Sequence, residues 1–350
     1  MKIAMVVNSP AVSLTRSKTS QMLLERRFAR MTDHTIYGLS NEDYHNSEPY
    51  RQYLSSSQLK KYLISPKAFK HSLDNPEEIK SDALRFGSLF HDLMEWCSRV
   101  DGDKEGQIRS WAHCNLAVFE PPINKSTGKA YGVTSNPYKE AYKEFEEKYC
   151  LYSIVSQAEY DTLIAMGSSL ILNSGLTSEQ VRKLLRWGKP EVSYFVEYEG
   201  CKFKYRPDLE TKRKIVDWKT VSTDDLSEES INRIILKYGY HISAAFYQFF
   251  EHERTGEWKQ FILVLVSKVA PYDCVMVDMS NYSYRYLPDV DMVIPGPGAM
   301  EFKRLLDLHI KCTKENHWPG AETFIPDNNG VRMLEIQPPR YYTNRFIEDI

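Results

Sequence analysis

Two aspartates and a lysine stand close together in the run Tyr205-Arg-Pro-Asp208-Leu-Glu-Thr-Lys-Arg-Lys-Ile-Val-Asp217-Trp-Lys219, with eight residues between the two carboxylates. Carboxylate oxygens are hard ligands for Mg2+, which activates a water and neutralises charge on a phosphate. A neighbouring ammonium can orient the nucleophile or stabilise the charge that develops. The chemistry such a trio suits is phosphodiester hydrolysis. As a bare tripeptide, Asp217-Trp-Lys219 reads first as an exposed strand carrying a surface ion pair, and only the surroundings can reverse that reading.

The elements that have to position these groups read as three strands. Residues 192–198 and 201–206 alternate polar and apolar side chains around Glu199-Gly200, a hairpin signal, and residues 215–220 are a third β-rich run. A period of two puts Asp217 and Lys219 on one face and turns Val216 and Trp218 into a core. Asp208 joins them if the second and third strands pair through the polar turn 210–214. Upstream, the serines of 53–66 cap a short helix that Pro66 prevents from continuing, and Ala83–Trp96 is strongly helical. Gly87 and His91, four apart, share a face of that helix, the glycine allowing close packing beside an inward-facing imidazole. On its own, the histidine reads as a satisfied core residue in preference to a ligand, since nothing in the helix supplies a second ligand.

Residues 101–136 read as a long irregular connection that borders the site. Capping boxes at Ser156-Gln-Ala-Glu159 and Thr177-Ser-Glu-Gln180 open two helices, and helices are also expected from Tyr138, over 231–237 and over 300–314. Phe261–Val266 is a continuous apolar run of central-strand length, with 275–279 its neighbour. The expectation is one α/β domain over 36–350, preceded by an arm of residues 1–35.

A net charge of −2 over 350 residues does not mark a generally basic nucleic-acid binder, but an acidic metal site offsets basic contacts elsewhere. The local run Lys202, Lys204, Arg206, Lys212, Arg213, Lys214 and Lys219 is a candidate phosphate-tracking surface, or simply a solvated face. Six scattered cysteines without a CxxC pair read as reduced, mostly buried thiols and exclude zinc or iron–sulfur clusters of the usual spacing. No run approaches the length of a membrane span and the N-terminus is too quickly polar for a secretory signal, so the expected location is cytoplasmic.

Six motifs in order resemble the nuclease domain of the RecE family (exonuclease VIII), in the RecB-like branch of the PD-(D/E)XK nucleases. They are Asn41-Glu-Asp-Tyr-His45 with Leu54-Ser-Ser-Ser-Gln-Leu59, Phe86-Gly-Ser-Leu-Phe-His91, Tyr205-Arg-Pro-Asp208, Val216-Asp-Trp-Lys-Thr220, Tyr240-His-Ile-Ser-Ala-Ala-Phe-Tyr247 and Trp318-Pro319. The resemblance implies the PD-(D/E)XK fold, a mixed central β-sheet flanked by helices. It makes Lys219 catalytic together with Asp208 and Asp217, and makes His91, Asp208, Asp217 and Glu191 the ligands of Mg2+, for which Mn2+ would substitute. Arg206 and Tyr247 become candidate DNA contacts. One departure is Ser243, which stands where the family's closing helix usually carries a glutamine, although Tyr247 is kept.

The implied activity is 5′→3′ digestion of double-stranded DNA ends, leaving 3′ single strands for recombination by a single-strand annealing protein of the RecT kind. A ring-like homo-oligomer such as a tetramer, and a phage or prophage origin acting in a bacterial host cell, are implied too. Two other readings are a catalytically silent DNA-end-binding module and an endonuclease on the same scaffold. Keeping Asp208, Asp217, Lys219 and His91 together favours an enzyme over the silent module.

Overall fold

The structure is a computed structural model that describes residues 33–76, 81–100, 102–325, 327–328 and 331–332. Strand β1 (Asp33–Ile36) leads through α1 (Asn41–Asn46) and α2 (Ser56–Leu59) to α3 (Pro66–Asp74), followed by α4 (Asp82–Arg99) and α5 (Lys104–Asn115). The parallel strands β2 (Leu116–Val118) and β3 (Ser153–Val155) are separated in sequence by α6 (Asn136–Lys148). Helices α7 (Gln157–Leu172) and α8 (Leu176–Trp187) precede β4 (Lys189–Pro190), β5 (Ser193–Tyr198), β6 (Cys201–Tyr205), β7 (Leu209–Glu210) and β8 (Lys214–Val221). After α9 (Glu228–Tyr238) and α10 (Tyr240–Thr255) come β9 (Gln260–Ser267), β10 (Cys274–Asp278), the hairpin of β11 (Tyr284–Leu287) and β12 (Met292–Pro295), and α11 (Pro297–Glu315).

The sheet that carries the chemistry has the order β10-β9-β8-β7-β4. It is mixed: β8 and β9 run parallel, and the other pairs are antiparallel. Helices cover both faces, as the unbroken apolar run of β9 requires. One face packs Val216, Trp218, Ile262 and Val264 against Phe90 and Leu93 of α4 and the residues of α5, α7 and α8. The other packs Ile215, Phe261 and Leu263 against Ile231 and Ile235 of α9 and Ala244 of α10. The alternation expected for the third strand is therefore realised: Val216 and Trp218 are buried while Asp217 and Lys219 look out together.

The second sheet, of order β1-β5-β6, packs on α10 and α11. Its β5–β6 hairpin turns at Glu199 and Gly200, both at positive φ (54° and 79°), the two-residue geometry whose twist suits neighbouring strands. The expected pairing of the second and third strands is corrected here, because β6 and β8 lie in different sheets. Pro207 has no N–H to offer a ladder, and β6 ends at Tyr205. The chain then enters the other sheet as β7, where Leu209 pairs with Val216 and Glu210 with Ile215. The polar turn does connect neighbours, but they are β7 and β8. Thr211 closes it, its hydroxyl accepting the N–H groups of Arg213 and Lys214.

Other expectations change as well. Residues 101–136 hold α5, whose Ile108, Trp111 and Ala112 are buried, and the segment does not border the cleft described below. Pro66 starts α3 at its first turn, under a Ser65 cap, as well as ending the helical turns before it. Helix α8 starts at Leu176 under Gly175, so the Thr177 box lies inside it, whereas the Ser156 box is formed as expected. The arm contributes β1, which pairs with β5 across the expected 35/36 boundary; residues 1–32 lie outside the described residues. Of the six free cysteines, Cys97, Cys201 and Cys312 are buried, Cys274 is intermediate, and Cys114 and Cys150 are exposed. Among the described residues no helix is long and apolar enough to cross a membrane.

Candidate active site

Asp208 sits just where the chain leaves one sheet for the other. Beyond the two-residue β7, the N–H of Trp218 in β8 has no ladder partner, and the Asp208 carboxylate accepts it through Oδ2 at 2.6 Å. Its other oxygen, Oδ1, lies 3.2 Å from His91 Nδ1, which α4 projects across the sheet edge. Glu191, between β4 and β5, takes a left-handed backbone with φ 51° and donates its N–H to the Asp208 carbonyl. One ligand atom from each of His91, Glu191 and Asp208 lies within 4.8 Å of the others.

Asp217 and Lys219 form the adjoining half of the site. Lys219 Nζ is 2.7 Å from Asp217 Oδ2 and donates to the Trp218 carbonyl at 3.2 Å. Asp217 falls outside the compact triad, its carboxylate engaged by the ammonium, so of the four expected ligands the structure gathers His91, Glu191 and Asp208. Both halves open on one cleft of about 1190 Å³, bordered by residues of α1, α2, α4, β8, α9 and α10. Gly87 is part of its wall. An added Cβ there would meet only Thr220 Oγ1, at 3.8 Å, an ordinary contact, so close packing does not require the glycine, contrary to expectation.

Burial opposes charge throughout the site, and the neighbours decide each outcome. Burial pushes Glu191 up, the Asp208 charge pushes it further, and Arg206 only partly offsets them, leaving Glu191 at about 8. Burial would raise Asp208 too, but His91, Lys219 and the Trp218 N–H outweigh it and hold the carboxyl below its ordinary range. Burial also acts against protonated His91, yet Asp208 lifts it above the usual value. Asp217 is raised by burial, with Lys219 opposing. Burial works against the Lys219 ammonium, and Asp217 and Asp208 overcome it, holding the group well above the ordinary lysine range.

Arg206 does not reach towards solvent. Its Nε is 3.0 Å from Glu191 Oε2, its other nitrogens donate to the Leu39 carbonyl and to Asn41 Oδ1, and its plane lies over the Tyr44 ring. It fastens Glu191 and the N-terminal segment to the site while bordering the cleft, so its visible partners are within the protein. Removing one partner of a buried pair costs about 3–5 kcal/mol, so Arg206→Met is expected to lower stability on that scale in urea unfolding. A variant that unfolds like the wild type but loses DNA affinity would restore the DNA-contact reading. Tyr247 borders the cleft, but its hydroxyl donates to the Arg206 carbonyl at 3.3 Å and its ring packs on Tyr205 and Phe261, so it too holds the site together. Ser243 borders the cleft beside it.

The basic run is not one surface either. Lys204 is buried with its ammonium donated to the carbonyls of Tyr44 and Tyr50, and Lys202 reaches Gln52. Lys212, Arg213 and Lys214 surround the β7–β8 turn, and none of them borders the cleft. Replacing all three by Ala is expected to leave the salt slope of DNA binding unchanged, measured by isotherms in Ca2+ at several salt concentrations. A flatter slope would return the turn to the phosphate path. The cations that do border the cleft include Lys60, Arg233, Lys237 and Lys268, none of them assigned from sequence, although Lys60 directly follows the serine-rich motif.

Residues 55–322 match the family described as a PDDEXK-like domain of unknown function (DUF3799). The chain belongs to this PDDEXK-like family. Its fold is thus of the expected class. A solved structure of a protein from Eubacterium rectale, provisionally named an exonuclease, is 16% identical, covers 89% of this chain and 98% of its own, and has a TM-score of 0.42. No curated protein matches the chain.

PDDEXK-like domains imply a divalent cation, and the residues present fit one. Burial and, after it, the charge of Asp208 raise Glu191 to about 8, and a cation between the two carboxylates would offset both effects. Two carboxylates and an imidazole, without thiolate, form a donor set suited to hard or intermediate ions such as Mg2+ and Mn2+.

Proposed function

We propose that this chain is a Mg2+-dependent exonuclease of the RecE kind, which digests the 5′-ended strand of duplex DNA ends and leaves 3′ single strands. The observation that carries the hydrolytic part is the convergence of the His91, Glu191 and Asp208 donors with the Asp217–Lys219 pair on one open cleft. The end specificity, the polarity, a ring-like oligomer and a RecT-like annealing partner rest on the motif order.

His91, Glu191 and Asp208 would hold the cation, with Asp217 beside them. Bound there, Mg2+ supplies positive charge for a phosphate oxygen and acidity for a water. Lys219 keeps its proton, because Asp217 and Asp208 hold the ammonium far above neutral pH, so it does not act as a general base. Its Nζ–H groups instead orient the attacking water or donate to phosphate oxygens as their charge grows. Asp217 aims that ammonium and keeps it from swinging out of the cleft. Trp218 N–H fixes one Asp208 oxygen, and Arg206 fixes Glu191, so both carboxylates are oriented before substrate arrives.

Incubating the purified protein with end-labelled linear duplex and with covalently closed circles, with and without Mg2+, tests the reading. Mg2+-dependent loss of the 5′-ended strand from linear DNA, with circles intact, is expected. Cutting of closed circles would make it an endonuclease, early loss of the 3′-ended strand would reverse the polarity, and absence of any metal-dependent cleavage would leave a silent DNA-binding module.

A further inference from the structure

Helices α9 and α10 meet at Gly239, whose φ of 64° suits a residue without a side chain. A Cβ there would also lie 2.9 Å from Cδ of Lys60, whose stem passes over the glycine. Lys60 Nζ donates to the Tyr238 carbonyl at 3.0 Å and stands 6.0 Å from the centroid of the Tyr240 ring. Lys219 Nζ stands 5.9 Å from the same centroid. Two ammonium groups therefore flank one ring.

Their charges are unequally compensated. Lys219 has Asp217, whereas Lys60 has no carboxylate within ion-pair distance among the described residues. Burial, and then the charge of Lys219, push Lys60 down to about 8. A cation kept in such a place without a counter-ion is stabilised by an anion that arrives from outside.

The aromatic part of this corner faces the same cleft. The rings of Tyr238 and Tyr240 stack at 5.6 Å and 26°, and Tyr238 is 50% exposed. Lys237 Nζ stands 5.2 Å from the Tyr238 centroid, over the ring, and Arg233 of the same helix also borders the cleft. A half-exposed ring with Lys237 over it, next to a second ring flanked by Lys60 and Lys219, combines the two elements that hold single-stranded nucleic acid, a stacking platform and cations for the backbone.

We infer that this corner is a nucleotide subsite, in which Lys60 binds the phosphate neighbouring the one beside Lys219 and the exposed face of Tyr238 stacks the unpaired base attached to it. The inference rests on the nuclease reading and narrows its substrate. A base inside a duplex already has both faces covered by its neighbours, so only an unpaired or frayed nucleotide has a face to give to Tyr238. The strand is accordingly taken as a separated end, with its last bases unpaired before the phosphodiester reaches Lys219.

The test uses the full chain in Ca2+ and short single-stranded oligodeoxynucleotides with 2-aminopurine at each of the first three positions from the 5′ end, a base whose fluorescence is quenched on stacking. Wild type is expected to quench it strongly at one position. Tyr238→Leu is expected to lose that quench and bind roughly tenfold more weakly, with Tyr238→Phe close to wild type. Lys60→Met is expected to lower the slope of log affinity against log salt by about 0.7, one phosphate contact on a single strand.

Unchanged quench and affinity in Tyr238→Leu would overturn the subsite, as would a Tyr238→Phe variant as weak as Leu, which would place the effect on the hydroxyl. A wild-type chain that cleaves DNA in Mg2+ while Tyr238→Leu and Lys60→Met bind normally overturns the subsite alone. A wild-type chain that neither binds nor cleaves DNA overturns the nuclease reading with it.

Discussion

Asp208→Asn is expected to weaken Mn2+ binding on the order of 100-fold and to bring cleavage close to background. Both oxygens of Asp208 are already used, one accepting the Trp218 N–H and the other facing His91 Nδ1. An asparagine has one carbonyl oxygen, so its NH2 must confront one of these two neighbours. If it confronts the Trp218 N–H, a buried donor is left unsatisfied, at about 1–3 kcal/mol; if it confronts His91, a hard anionic ligand is lost from the donor group. Calorimetric Mn2+ titration alongside thermal melts distinguishes these losses. Wild-type Mn2+ affinity in Asp208→Asn would remove Asp208 from the metal centre.

The second large effect belongs to Lys219. Lys219→Ala is expected to lower the cleavage rate roughly 10²–10³-fold, the range for removing one group that stabilises developing charge. Mn2+ affinity should stay within a few-fold of wild type or tighten, because the variant frees the Asp217 carboxylate from its ammonium. Weakened metal binding together with a lost rate would mark Lys219 as a structural support of the ligand set. Full activity would sink its assignment altogether.

What could be read from the chain follows how local each determinant is. The shared face of Asp217 and Lys219 depends only on a period of two along one strand, and it is found as expected. The closeness of Asp208 was legible too, although through the wrong strand: a two-residue strand such as β7 has no periodicity to detect, so Asp208 was assigned to the end of β6. Helix α5 was hidden because glycine, asparagine and proline elsewhere in 101–136 outweighed the spacing of Ile108, Trp111 and Ala112.

Charge misled most. Lys204 and Arg206 look like DNA contacts by type, but their backbone and amide acceptors lie between residues 39 and 50, with Glu191 as a further partner of Arg206, and no local rule connects segments so far apart. Tyr247 was singled out from its motif, but its anchoring on Arg206 required the packed structure. Lys60 and Tyr240 lie beside and within motifs of the chain, yet nothing local marks them, because what distinguishes them is their common position beside Lys219.

The fastening of Arg206 also bears on how the protein comes into being on the ribosome. Its two N-terminal acceptors are 167 and 165 residues earlier in the chain, and β1 pairs with β5 across a similar span. At about 5–20 residues per second, the segment holding Leu39 and Asn41 emerges roughly 10–30 s before the arginine it is to hold. For most of that interval neither β5 nor Glu191 exists, and the segment lacks the strand and the carboxylate it later joins. Assembly of the centre is therefore a late event of synthesis, and a nascent chain halted before Arg206 carries His91 and Glu191 but lacks Asp208, the carboxylate that completes their donor set.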